Sequence, residues 1–138
     1  MPRIAGVNVL GGILATIAIY FVGFVWFGLL FQETWQVANG YTEEQLVANF
    51  NPAITFGGGF VIPLVLAFAI GWLLKATNTK GLIPSVVFGA KLGLFVAGPV
   101  LAYGFVYNVI HSPVDLALDV SHSLVGFMLG AAVLSFFD

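Results

Sequence analysis

His111, Asp115, Asp119 and His122 lie within twelve positions near the C-terminal end of the sequence. Ser112 and Pro113 read as an N-cap and a first helical position, with Asp115 in the first turn, so a helix begins there. On that helix Asp115, Asp119 and His122 fall at i, i+4 and i+7 and share one face. Two carboxylates and an imidazole so placed are candidate ligands for a divalent metal, or a path for a proton. The plainer reading is that the acids favour the helix N-terminus from water while His122 hydrogen-bonds a neighbour. No ligand motif of fixed spacing, such as His-Glu-x-x-His, is present, and the plainer reading is preferred.

Lys91 is the other candidate, because it is the one formal charge well inside an apolar stretch. Intramembrane cations are costly and are functional candidates by default. Counted from residue 84, however, Lys91 stands only about 10 Å inside the helix end at 1.5 Å per residue. A lysine stem can snorkel most of that distance. Asp138 is the one acid that could approach it. Snorkelling is the favoured account.

Small residues at helical spacing form a third signal. Gly89, Gly93 and Ala97 make one stripe, and Gly126 with Gly130 makes another. Such stripes let backbones approach where lipid removes the hydrophobic drive between helices. Below His122 the second stripe predicts a contact between helices 3 and 4, with Tyr103, Tyr107 or Asn108 as the polar partner of His122. Gly57-Gly58-Gly59 lacks the lysine and the preceding strand of a phosphate loop.

These residues need elements to hold them, and composition names the elements. Hydrophobic residues make up 60% of the 138 and charged residues 7%, against roughly 25% charged in soluble domains. A folded sphere of this size cannot hide so much apolar surface, which excludes a soluble domain, and a disordered chain is excluded too. Four scattered Lys and Arg make no phosphate-tracking patch, which excludes nucleic acid as a partner. With Cys 0, disulfides and thiolate metal sites are out. Residues 4–32, 45–74, 92–114 and 120–137 carry no formal charge, and roughly 20 apolar residues cross a bilayer core of about 30 Å. The run at 61–74 shows none of the alternation that a membrane barrel requires.

The fold class is therefore all-α: four transmembrane helices in one bundle, forming a single integral membrane domain over residues 1–138. The helices are expected near 4–31, 52–74, 84–110 and 113–137. The first is too long for a signal-peptide core and is read as retained. Pro63 and Pro99 are expected to kink helices 2 and 3. Thr42 with Gln45 fits a capping box, so a short helix is expected in the first outer loop, lying on the membrane surface. Arg3, Lys75 and Lys80 lie on one side of the chain's path, and the links holding Glu33, Glu43, Glu44, Asp115 and Asp119 carry no cation. The positive-inside rule makes both termini cytoplasmic, and the expected location is a bacterial inner membrane.

The segment VWFGLLFQETW at 25–35, then TEEQL at 42–46, Asn51-Pro52, His122, Met128 and Gly130-Ala131 follow one another in an order that resembles domain of unknown function 1761. This is a family of small bacterial and fungal membrane proteins. The resemblance covers nearly the whole chain and departs from the family pattern at Phe27, where Tyr is expected, at Ser121, where an aromatic often precedes the histidine, and at Lys91. It implies four helices in a membrane and no reaction, so no catalytic residue carries over.

An enzyme would need a nucleophile–base pair or a metal cage, and the sequence offers neither plainly. The expected function is a non-enzymatic accessory or structural subunit that docks on a larger membrane complex or binds a hydrophobic ligand through Phe-rich faces. The alternative is a small oligomeric transporter or channel-like protein. Membrane lipids, a larger complex or self-association are the expected partners. No cofactor motif is present; a lipid, quinone or pigment would be compatible with the composition. Reporter fusions at Glu43 and after Asp138 are expected to report opposite sides of the membrane; the same side for both overturns the topology.

Overall fold

Asn8 starts the first long helix: its Oδ1 accepts the Gly11 N–H at 3.1 Å, satisfying one of the donors that a helix N-terminus leaves open. In the computed structural model, which describes residues 2–137, a small hairpin precedes it. Strand β1 (Arg3–Ile4) pairs antiparallel with β2 (Val7–Asn8), Arg3 opposite Asn8 and Ile4 opposite Val7. The turn residues Ala5 and Gly6 have φ of 51° and 80°, the left-handed pair that a two-residue hairpin requires. Sequence reading begins helix 1 near residue 4; the structure begins it at Val9, because the hairpin takes the residues before it.

Six helices follow: α1 (Val9–Leu30), α2 (Gln32–Ala38), α3 (Glu43–Asn49), α4 (Ala53–Ala76), α5 (Leu82–Tyr107) and α6 (Pro113–Ser135). Four of them, α1, α4, α5 and α6, are long and apolar enough to cross a membrane. The capping box of α3 is present in full: Thr42 Oγ1 accepts the Gln45 N–H at 3.1 Å, and Gln45 Oε1 accepts the Thr42 N–H at 3.0 Å. At α6, Ser112 Oγ accepts the Asp115 N–H at 3.2 Å.

Three of the long helices contain a widened, π-helical stretch: Phe24–Leu30 in α1, Ala53–Gly58 in α4 and Gly93–Ala97 in α5. In α1 the widening closes with the Phe31 N–H donating to the Trp26 carbonyl, five residues back, at 2.9 Å. In α4 and α5 a proline follows shortly after. Pro63 and Pro99 have no N–H to give, and their rings crowd the carbonyl four residues earlier, which favours a wider turn there. Nothing comparable explains the widening in α1.

The long helices pack in the spatial order α4, α1, α6, α5. Helix α6 lies between α1 and α5, and α4 packs mainly on α1. Although α4 and α5 are joined by the short link 77–81, they touch little. The array is open on that side. Its core gathers at one end, where Val7, Ala15, Ile19, Ala67, Ile70, Leu74, Ala131 and Leu134 are buried together. Val7, 2% exposed, is pushed into this end by the hairpin. A Cβ on Gly71 would stand 2.8 Å from its Cγ1.

Glycines set the two tightest approaches to α6. A Cβ on Gly89 would lie 2.5 Å from the Phe127 carbonyl oxygen, and one on Gly93 would lie 2.8 Å from the Leu124 Cα. On the other side of α6, a Cβ on Gly130 would lie 2.8 Å from Ile19 Cδ1. The stripe on α5 continues through buried Gly98, with half-buried Ala97 beside it. The widened turn between them rotates the helix surface by about one residue. The stripe on α6 receives α1, not α5. Gly89→Ala is expected to cost about 1–3 kcal/mol, because backbone cannot yield to the new methyl. Gly126→Ala, whose Cβ would sit 3.7 Å from Ile19, is expected to stay within about 0.5 kcal/mol. Thermal unfolding in detergent checks both, and equal losses would contradict the packing described.

Candidate functional site

Helix α6 carries Asp115, Asp119 and His122, and its central position in the array sends them to different neighbours. At about 100° per residue, Asp119 and His122 stand roughly 60° apart around the axis. Asp115 faces α2, where Asn39 Nδ2 donates to its carboxylate at 2.8 Å and to the Trp35 carbonyl at 2.9 Å. Asp115 and Asp119 line a polar hollow of about 310 Å³ with Asn39, Asn108 and Ser112. His122 opens instead into a second cavity. Among the described residues no three His, Asp or Glu side chains converge as a metal site. His111 is elsewhere again: its Nδ1 donates to the Phe105 carbonyl at 2.6 Å and its ring stands edge-on to Phe105.

The partner of His122 is helix α1. Its imidazole packs edge-to-face on Phe27, with ring centroids 5.0 Å apart at 60°. Its Nε2 would stand 3.2 Å from a Cβ on Gly23, so the missing side chain of Gly23 makes room for the ring. The expected bond to Tyr103, Tyr107 or Asn108 does not form. Tyr103 and Tyr107 stack on each other on the exposed side of α5, 64% and 79% exposed. The physical reason is the packing of α6: α5 occupies the face beside Gly89 and Gly93, and the face holding His122 and Gly130 belongs to α1. No side-chain hydrogen bond among the described residues reaches His122; the polar tie at this level is made by its neighbour. Trp26 Nε1 donates to Ser121 Oγ at 3.0 Å, and Ser121 Oγ donates to the Leu118 carbonyl at 3.0 Å. Sequence reading treats Ser121 as a departure from a family pattern; its joint role with Trp26 has no sequence signal beyond a polar residue inside a span.

The cavity before His122 holds about 420 Å³. Helix α1 supplies Ile19, Tyr20, Gly23, Phe24 and Phe27, and α4 supplies Thr55, Phe56, Gly59, Ile62, Pro63 and Leu66. Among the described residues nothing from α5 lines it. The widened turns of α1 and α4 provide part of the wall, through Phe24 and Phe27 on one side and Thr55 and Phe56 on the other. A Cβ on Gly59 would meet only Tyr20, at 3.6 Å, so the wall has room for a side chain there. The lining is apolar apart from the Tyr20 and Thr55 hydroxyls and the imidazole. Such a cavity can hold a hydrophobic molecule and offer it one or two hydrogen bonds.

Residues 10–135 match the family described as protein of unknown function, DUF1761. The chain belongs to this family. The match takes in α6 with His122 and both helices that wall the cavity, as the order of motifs in the sequence implies. No curated protein and no solved structure matches the chain.

Lys91 lies on the exposed side of α5, away from the cavity and from α6. Its expected approach to Asp138 lies outside the described residues. Lys91→Met is expected to leave thermal stability in detergent unchanged or slightly raised, because an exposed charge on an apolar span is removed. A clear loss of stability would give Lys91 a structural partner.

Proposed function

We propose that the protein is a non-enzymatic integral membrane protein that holds a hydrophobic ligand in the cleft between α1, α4 and α6 and serves as an accessory subunit of a larger membrane assembly. Both termini face the cytoplasm, and α3 rests on the outer membrane surface with Leu46, Val47 and Phe50 toward lipid. The observation that carries this reading is the cleft itself, about 420 Å³ and almost wholly apolar, within the size range of ligand sites, roughly 300–1,000 Å³. Close packing is the rule between helices that associate in lipid. A cleft of this size beside a tight core is a place for something other than side chains.

The open side of the array supports the docking half of the reading. With α4 and α5 scarcely touching, a partner helix has two unpaired flanks to meet. The cation distribution supports the orientation, and placement in a bacterial inner membrane is part of the same proposal.

Filling the cleft tests it. The protein is purified in mild detergent and its co-eluting lipid-soluble molecules are identified by mass spectrometry, beside Gly59→Leu. The wild type is expected to carry a molecule that the variant lacks, with the variant unfolding at the same temperature or higher. Identical small-molecule content in both overturns the reading.

A further inference from the structure

We infer that the cleft selects a flat ring bearing a neutral carbonyl or hydroxyl oxygen on its rim, with an aliphatic tail, and that His122 is the group that recognises the oxygen. This rests on the ligand-holding function proposed above and names the chemistry of the ligand. A neutral imidazole has one donor and one acceptor nitrogen, so it can serve either oxygen type. His122 has no hydrogen-bond partner among the described residues, and a polar group facing hydrocarbon is costly to leave unpaired. The ring is also held in place: Phe27 packs against it at 5.0 Å and Gly23 makes room beside Nε2. An imidazole that is oriented, unpaired and set in a cavity wall is built to meet an incoming group.

The rest of the wall defines that group further. Tyr20, Phe24 and Phe56 join Phe27 around the cavity, and aromatic side chains favour offset or edge contacts with a second ring. The lining contains no Lys or Arg, so a phosphate or carboxylate head would have no counter-charge there. A phospholipid or a fatty acid is therefore a poor occupant, and a neutral oxygen is a good one. Thr55 lines the cleft near the start of α4, and Pro63 and Leu66 line it deeper along the same helix. An occupant thus places its oxygen near His122 and its tail along the apolar residues of the wall. A volume of about 420 Å³ takes the ring and a short length of tail; the remainder leaves through the side that α5 does not wall.

The test uses the full chain in lipid nanodiscs and two probes of the same carbon skeleton, 2-methyl-1,4-naphthoquinone, which carries two carbonyl oxygens, and 2-methylnaphthalene, which carries none. With Cys 0, the quinone has no thiol to alkylate. Binding is measured by equilibrium dialysis against empty nanodiscs, and histidine ring-¹⁵N signals report the contact. The chain has two histidines, and His111, engaged with Phe105, is the internal reference. The quinone is expected to shift the His122 signal and leave His111 unmoved. It is expected to bind about tenfold more tightly than the hydrocarbon, the difference made by one net hydrogen bond. His122→Phe should bring the quinone to the affinity of the hydrocarbon, while His122→Gln, which keeps a donor and an acceptor, should hold it within about threefold of wild type. Equal affinity for both probes, or an unmoved His122 signal on quinone binding, overturns the inference and leaves a cleft that binds by apolar contact alone. Retention of neither probe above empty nanodiscs overturns the inference together with the ligand-holding function it rests on.

Discussion

Helices in lipid gain nothing from hiding apolar side chains from one another, so their association depends on how closely backbones can approach. In this protein that constraint acts through α6. The absent side chains of Gly89 and Gly93 let α5 lie against the α6 backbone at Phe127 and Leu124, and Gly130 admits Ile19 from the opposite side. Two close approaches on two sides of one helix place α6 between α1 and α5. The position of α4 then follows, because it packs on the far flank of α1 and shares the core through Ala67, Ile70 and Leu74. The amino-terminal hairpin completes this end by inserting Val7 against Gly71.

Toward the other end the same helices are held differently. There the buried glycine contacts give way to a few polar ties: Trp26 to Ser121 between α1 and α6, and Asn39 to Asp115 between α2 and α6. The widened turns of α1 and α4 lie in this region and reshape the helix surfaces that face the cleft. Tight packing at one end and spaced side-chain bonds at the other leave a cavity that the core cannot close. His122 stands at the boundary between the two regimes, packed on Phe27 by its edge and with ring nitrogens that no group among the described residues engages. A site of this kind needs a rigid base and a loose rim, and the distribution of glycine and aromatic residues supplies both.

The carboxylates have a separate task. Asp115 accepts from the side chain that caps α2, and through it the link between α1 and α4 is fastened to the start of α6. This bond accounts for one acid of the candidate metal ligands, and His111 is accounted for by its bond to the end of α5. What looked like one constellation in sequence is three local structures: a loop tie, a helix-end bond and a cavity wall. Proximity along a helix brings side chains to one quadrant, yet 60° of rotation is enough to give them different neighbours when the helix lies between two others.

The sequence by itself determined the membrane class, four apolar spans, the capping of α3 and α6, and the family. Each of these depends on composition or on hydrogen bonds within a few residues, and such features are complete in the local chain. Tertiary structure alone decided that α6 turns His122 to α1, that Trp26 meets Ser121, and that α1 and α4 border a cleft beside His122. The usual sequence cue for a buried face is a change from polar to apolar around the helix, and these helices are apolar on every side, so the periodicity that orients a soluble helix is absent. The stripe on α5 shows the second limit. Spacing by fours leads from Gly93 to Ala97, but one widened turn brings Gly98 inward in its place, and that shift exists only in the folded helix.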